Sequence, residues 1–183
     1  MKSLRILAAV VALGLTSLTW AQSHNMEKNE AAKSQEQLAF DQLKALSGSW
    51  RGTLTLDPPS HEFDGKKAEL TLRTTSMGHA LMHEIHVAGR PDDPLTILYM
   101  NDGRLMLTHY CDAGNRPRMV AHVSPDGKTV EFDFLDVAGP LEYGHMHHAV
   151  FSFVDANHHS EEWTYMQPGD KPVRVHFDLE RVQ

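Results

Sequence analysis

The stretch Leu46-Ser47-Gly48-Ser49-Trp50 lies between two different hydrophobic periodicities. Before it, the apolar residues of segment 39–46 recur at the spacing of one helical face. The segment Ser34-Gln35-Glu36-Gln37 has the residue types of a capping box, and Gly48 is typical of a helix C-terminal end. The sequence therefore predicts one short helix over about residues 35–47, directly before the first strand.

After Trp50, apolar residues alternate with polar ones, and turn motifs recur along the chain. Asn101-Asp102-Gly103 and Ser124-Pro125-Asp126-Gly127 are strong hairpin signals. A meander of this length avoids exposed edges by closing on itself. We therefore predict an all-β fold, an antiparallel up-and-down barrel of about ten strands with one short N-terminal helix. The predicted strands are 49–56, 66–75, 80–87, 95–100, 104–110, 118–123, 129–136, 145–154, 160–166 and 172–180.

The N-terminus has the three-part pattern of a cleavable secretory signal peptide. Lys2 and Arg5 precede the apolar run Ile6–Leu18, and Thr19-Trp20-Ala21 supplies the small residues before a cleavage point. This apolar run is shorter than the roughly 20 residues that a membrane-spanning helix needs. We expect a periplasmic or secreted protein without stable membrane insertion. The predicted segments are a signal peptide over 1–21, a flexible tether over 22–33 and a barrel domain over 34–183.

The composition narrows the class of partner. The chain has 17 basic and 24 acidic residues and a formal net charge of −7. This balance argues against a general basic surface for nucleic acid. Cys111 is the single cysteine, so no internal disulfide can form and the hydrophobic core must hold the fold. The expected partner is a small hydrophobic or mixed-polarity molecule.

A short helix leading into Gly48-Ser49-Trp50 and followed by ten strands resembles the calycin superfamily. The sequence resembles exported bacterial lipocalin-like domains of unknown function and, more distantly, lipocalins, fatty-acid-binding proteins and nitrobindin-like barrels. The resemblance implies that Trp50 packs across the closed end of the barrel. It implies no established ligand or reaction, and no position here matches the histidine that holds haem in nitrobindins. The stretches that carry it are Leu46–Trp50, Leu107–Cys111, Asn115–Met119, His145–His147 and Glu162–Thr164.

Strand periodicity points to a set of cavity residues. Side chains two residues apart on a strand share a face, so His109 shares a face with Leu105 and Leu107, and Cys111 follows in phase. His147 has the same phase as the aromatic residues that follow it, and His83 lies on an apolar face. Aromatic residues with polar tips suit a pocket for a mixed-polarity ligand. We predict that the lumen-facing ligand-binding residues are His83, Tyr99, His109, Cys111, His147 and Trp163.

A metal site is the alternative interpretation. Imidazole and thiolate are good ligands for zinc and copper, and a His-x-His pair on one strand can bind a single ion. Zinc, copper or haem could then be held by His109, Cys111, His145 and His147. The plainer interpretation of the first pair is a hydrogen-bonded histidine beside a small thiol.

No catalytic motif identifies an enzyme. The sequence lacks a Gly-x-Ser-x-Gly elbow, a phosphate loop, a dinucleotide-binding fingerprint and a His-Glu-x-x-His motif. An enzymatic activity in the lumen is left open. His158 and His159 follow a turn signal and are expected to be exposed.

Overall fold

The computed structural model describes residues 32–183. The predicted signal peptide, 1–21, and most of the predicted tether, 22–33, lie outside these residues. Within residues 32–183, a single α-helix precedes the strands, and a one-turn 3-10 helix at Ser76–Gly78 joins the second strand to the third. The elements are α1 Gln35–Ala45, β1 Gly48–Asp57, β2 Lys67–Thr75, β3 Ala80–Val87, β4 Leu95–Asn101, β5 Arg104–Tyr110, β6 Arg116–Val123, β7 Thr129–Ala138, β8 His145–Phe153, β9 His158–Gln167 and β10 Lys171–Arg181.

The ten strands form one closed antiparallel barrel. Each strand pairs with its sequence neighbour, and β1 pairs with β10 to close the cylinder, from Trp50 opposite Arg181 to Asp57 opposite Arg174. The two closing strands approach closely at Gly52, where an added Cβ would lie 2.0 Å from the carbonyl oxygen of Asp178. The predicted ten-stranded up-and-down barrel with one short helix is confirmed.

The helix α1 begins where the capping pattern predicts. The Ser34 hydroxyl accepts a hydrogen bond from the backbone N–H of Gln37 at 3.2 Å. The Gln37 side chain donates to Asp41 instead of returning to Ser34, so only half of the capping box forms. The helix ends at Ala45, two residues before the predicted boundary. Within residues 32–183, no helix is both long and apolar enough to cross a bilayer.

Trp50 contacts both the end of the helix and the barrel wall at the closed end. Its side chain is 1% exposed, as the barrel resemblance implies, and this prediction is confirmed. The indole N–H donates to the carbonyl oxygen of Leu46 at 2.8 Å, and the Arg181 guanidinium lies 4.2 Å from the ring centre. Since α1 also packs against β4, β5 and β6, it closes the end of the barrel at which β1 begins.

Two irregularities change the alternation of side chains along the strands. One lies between Arg118 and Met119 in β6, and the other lies between Met146 and His148 in β8. In β8 the ladder pairs Met146 with Tyr165 and His148 with Thr164, so His147 is an extra residue without a partner. The simple two-residue period therefore fails at His147.

Candidate functional site

A cavity of about 330 Å³ lies in the half of the barrel opposite the helix α1. Its walls come mainly from the last residues of β1, β3, β5 and β9 and the first residues of β10. The Phe63 ring, from the segment between β1 and β2, stands at its mouth. The lining residues are Leu54, Leu56, Phe63, Ile85, Val87, Arg90, Pro94, His109, Cys111, Asp112, Met146, Trp163, Tyr165, Gln167, Val173, Val175 and Phe177.

His109 supplies a polar group at the floor of the cavity. The side chain is 3% exposed, and its Nδ1 lies 2.8 Å from the hydroxyl oxygen of Thr96 on the neighbouring strand. Burial, and secondly the nearby His83, lower the pKa of His109 to about 4. The imidazole is therefore neutral at physiological pH. Its Nε2 has no hydrogen-bond partner among residues 32–183, so it is free to contact a ligand.

The rim of the cavity carries a thiol and an ion pair. Burial raises the pKa of the Cys111 thiol to about 11, so the thiol is protonated near neutrality. Its sulfur donates to a carboxylate oxygen of Asp112 at 3.4 Å. The other carboxylate oxygen of Asp112 pairs with the Arg90 guanidinium. The thiol is thus a weak hydrogen-bonding group and not a ready nucleophile.

A buried polar cluster lies directly beneath the cavity floor. Its centre is Glu161, whose side chain is fully enclosed. The carboxylate lies 2.9 Å from Nε2 of His83 and 3.0 Å from Nε2 of His159, and it accepts from the indole N–H of Trp163 at 2.9 Å. We call these four residues the Glu161 cluster.

Glu161 is ionised in the folded protein. Burial raises the pKa of this carboxyl, but the charge of His83 and the hydrogen bonds from His159 and His83 outweigh burial. Together they hold the pKa well below its ordinary range. The outer nitrogens of the two histidines, the Nδ1 atoms of His83 and His159, are buried and have no hydrogen-bond partner in the described part of the chain. The cluster satisfies its carboxylate fully and its imidazoles only in part.

Three of the six predicted ligand-binding residues lie together on the cavity wall, namely His109, Cys111 and Trp163. The other three lie elsewhere. His83 is beneath the floor in the Glu161 cluster. Tyr99 is on the face of β4 opposite the buried Leu98, and its hydroxyl lies 3.1 Å from that of Thr108. His147 stacks on Phe134, with ring centres 4.9 Å apart.

The four predicted metal ligands do not converge on one point. Nε2 of His145 lies 3.2 Å from Nδ1 of His147, whereas His109 is bonded to Thr96. Among the residues that the structure describes, the potential ligands that lie within 4.8 Å of one another are Glu131, Asp133 and His148. These belong to the outer face of β7 and β8, where Nε2 of His148 lies 3.2 Å from a Glu131 carboxylate oxygen and its Nδ1 lies 3.1 Å from an Asp133 carboxylate oxygen.

The Glu161 cluster was not predicted from the sequence. The expectation that His159 is exposed is wrong, because the residue is 1% exposed and its ring meets the Trp50 ring edge-on at 4.2 Å. A signal was present in the alternation of His159, Glu161 and Trp163, which places the three residues on one face of β9. Because Trp163 is predicted to face the lumen, the same alternation applied back along β9 would have placed Glu161 and His159 inside the barrel as well.

Comparison with protein-family models and with curated proteins finds no match. Among solved structures, the chain is similar to Rv2717c from M. tuberculosis, with a TM-score of 0.55 and 15% identity over 79% of this chain and 98% of that one. It is also similar to a protein of unknown function from the DUF3598 family of Nostoc punctiforme, with a TM-score of 0.52 and 12% identity over 76% of this chain. This chain spans about half of that protein, 49% of its length.

A third solved structure, the S-type phycobiliprotein lyase from Guillardia theta, has a TM-score of 0.39 and 7% identity over 81% of this chain and 97% of that one. At these identities, the similarity to the M. tuberculosis and Nostoc proteins shows the barrel fold alone. Membership of the exported lipocalin-like domains stays a prediction. The site must therefore be interpreted from its own geometry.

Proposed function

We propose that this barrel binds a small, largely apolar molecule in the cavity above His109. The main support for this proposal is the difference in polarity between the wall and the floor of the cavity. The wall is formed mostly by aliphatic and aromatic side chains, whereas the floor presents an imidazole nitrogen that has no hydrogen-bond partner among residues 32–183. Apolar walls with a few placed polar groups are the usual composition of small-molecule sites.

The size of the cavity sets the size of the ligand. At about 330 Å³ it is at the lower end of the usual range for ligand pockets, roughly 300–1,000 Å³. Each methylene group that a ligand buries there contributes about 0.8 kcal/mol to binding. A ligand with ten or so buried methylene groups therefore gains about 8 kcal/mol from burial, against a cost of about 4–15 kcal/mol for immobilisation.

Binding can be tested with the uncharged fluorescent probe N-phenyl-1-naphthylamine. We expect saturable enhancement of its fluorescence with one site per chain. Substituting Val175→Trp, which places a large ring into the cavity wall, should weaken probe binding at least tenfold. The matched control is Val150→Trp, because Val150 is a half-buried strand valine on the outer face, opposite Glu131 and Glu162.

Both variants are compared by circular dichroism and thermal unfolding before titration, so that a folding defect is recognised. Saturable binding that Val175→Trp abolishes and Val150→Trp preserves supports the cavity as the site. Absence of probe binding to the folded wild-type protein, or equal binding by both variants, would contradict the proposed function.

We also propose that the protein acts in the periplasm or outside the cell. The support is the signal-peptide pattern of residues 1–21, with its basic start, apolar run and small residues before the cleavage point. Mass spectrometry of the protein from a secreting host should show a chain that starts near Gln22. A full-length chain recovered from the cytoplasm alone would contradict export.

A further inference from the structure

The cavity offers no unpaired charge to a ligand. Among the described residues on its wall, Arg90 and Asp112 are the two with permanent charges, and they pair with each other. The remaining polar groups are uncharged near neutral pH. We propose that the ligand is an uncharged molecule whose single hydrogen-bonding group, a hydroxyl or carbonyl, contacts Nε2 of His109 at the cavity floor. This inference rests on the proposed function and names the ligand class for the same site.

Among the described residues that line the cavity, a carboxylate ligand finds no unpaired cation; the Lys66 ammonium, 4.9 Å from the centre of the Phe63 ring, lies outside that lining. The Arg90 guanidinium is already engaged by Asp112, so an incoming carboxylate must compete with a carboxylate that is tethered beside it. Both side chains are partly exposed, at 35% and 43%, so their pairing also leaves them in contact with water. Because Arg90 is already paired with Asp112, its guanidinium is not free to recognise an anionic ligand.

The floor disfavours an anion even more strongly. His109 is neutral, and the indole N–H of Trp163 is already donated to Glu161. Beneath the floor, the imidazoles of His83 and His159 already face the Glu161 carboxylate, and neither residue lines the cavity, so they offer no free cation to an anionic ligand. Burying a second carboxylate in this apolar cavity without a partner would cost several kcal/mol.

The cavity does not favour a cationic ligand either. The carboxylate of Glu161 accepts hydrogen bonds from His83, His159 and Trp163, so its oxygens are already satisfied by protein donors. Asp112 is held by Arg90 at the rim. An ammonium group in the cavity would therefore lose its hydration without gaining an available anion.

A neutral polar group fits the floor. The Thr96 hydroxyl can donate to or accept from Nδ1 of His109, so either tautomer of the neutral ring is available. Nε2 can accordingly accept from a ligand hydroxyl or donate to a ligand carbonyl. The apolar residues Leu54, Ile85 and Phe177 on the surrounding wall would enclose the rest of the molecule.

The inference is tested with three ligands that share one ten-carbon chain, namely decan-1-ol, decanoate and decylammonium. Each displaces N-phenyl-1-naphthylamine from the wild-type protein at pH 7. We expect the alcohol to compete at a concentration at least tenfold lower than either ion. Equal or tighter competition by an ion, or no competition by the alcohol, would overturn the inference while probe binding still upheld the proposed function.

Two variants test the named contacts. Asp112→Asn removes the partner of Arg90, so decanoate binding should tighten about fivefold while decan-1-ol stays within twofold. The matched control is Asp136→Asn, which breaks the similar exposed pair with Arg118 on the outer surface. It should change the affinity for neither decanoate nor decan-1-ol. In His109→Phe, the loss of one net hydrogen bond should weaken the binding of decan-1-ol about fivefold. Unchanged ligand preference in both cavity variants would overturn the inference.

Discussion

Replacing Glu161 with glutamine is expected to lower the free energy of unfolding by about 3–5 kcal/mol, the usual cost of removing one partner from a buried charged network. The carboxylate meets three donors, from His83, His159 and Trp163, inside a fully enclosed site. A glutamine side chain has nearly the same size but turns an N–H group toward at least one of those donors. At least one of the three contacts is then lost or requires a histidine to change tautomer, inside a site whose carboxylate is fully enclosed.

Urea denaturation of the purified barrel measures this effect. The matched control is Glu162→Gln, because Glu162 is the next residue on β9 and lies on its other, half-exposed face. We expect the control to change stability by no more than about 0.5 kcal/mol. Equal stability of the two variants would show that the Glu161 cluster does not stabilise the fold.

Acid should reduce the advantage of the wild-type protein over Glu161→Gln. The pKa of Glu161 is lowered in the folded state, so its stabilising contribution is complete above its ordinary pKa of 4.5. Below that pH the unfolded chain binds a proton that the folded protein does not, and the contribution falls progressively. The difference in unfolding free energy between the two proteins should narrow as the pH drops below 4.5.

Trp50→Ala is the second substitution with a large expected effect, a loss of about 3–5 kcal/mol. The indole fills the closed end of the barrel at 1% exposure, and its N–H is bonded to the carbonyl oxygen of Leu46. Truncation would leave a cavity between α1 and β1 and an unpaired carbonyl group. It would also remove the ring on which Arg181 packs from β10.

The conservative variant Trp50→Phe separates these contributions. It keeps most of the apolar surface and loses the hydrogen bond, so we expect a smaller loss, about 1–2 kcal/mol. Thermal unfolding followed by circular dichroism ranks the three proteins. If Trp50→Ala melts at the wild-type temperature, Trp50 does not stabilise the closed end.

The strands of this fold were predictable because most of them have one face against the core and one against water. In β3, for example, Leu81, His83, Ile85 and Val87 are buried while the residues between them are more exposed. Such alternation is a local property of the sequence, and the turn motifs give the boundaries between strands. Strand β6 begins at Arg116, two residues before its predicted start, and β7 ends at Ala138, two residues after its predicted end. Pairing between the two strands continues there past the alternating residues.

The candidate site was predictable only where this alternation is unbroken. His109 continues the phase of Leu107 on a regular strand, and the structure places it on the cavity floor. His147 is the extra residue of an irregular segment in β8, so its phase does not give its position. The Glu161 cluster joins β3 to β9 across the lumen, and the sequence carries no local signal for contacts between strands that are not neighbours.

Closure of the barrel by β1 and β10 has a consequence for the order of folding. The pairing of Trp50 with Arg181 joins the first strand to the last and is the strand pair of greatest sequence separation in the barrel register. Such contacts are slow to form, because the entropy of closing the long intervening chain is lost before the pairing compensates for it. Until the 11 residues of β10 are in place, β1 and β9 each present an edge of unpaired backbone groups, to which another chain could add. The last strand therefore completes the cylinder and also ends the period during which the folding chain is open to aggregation.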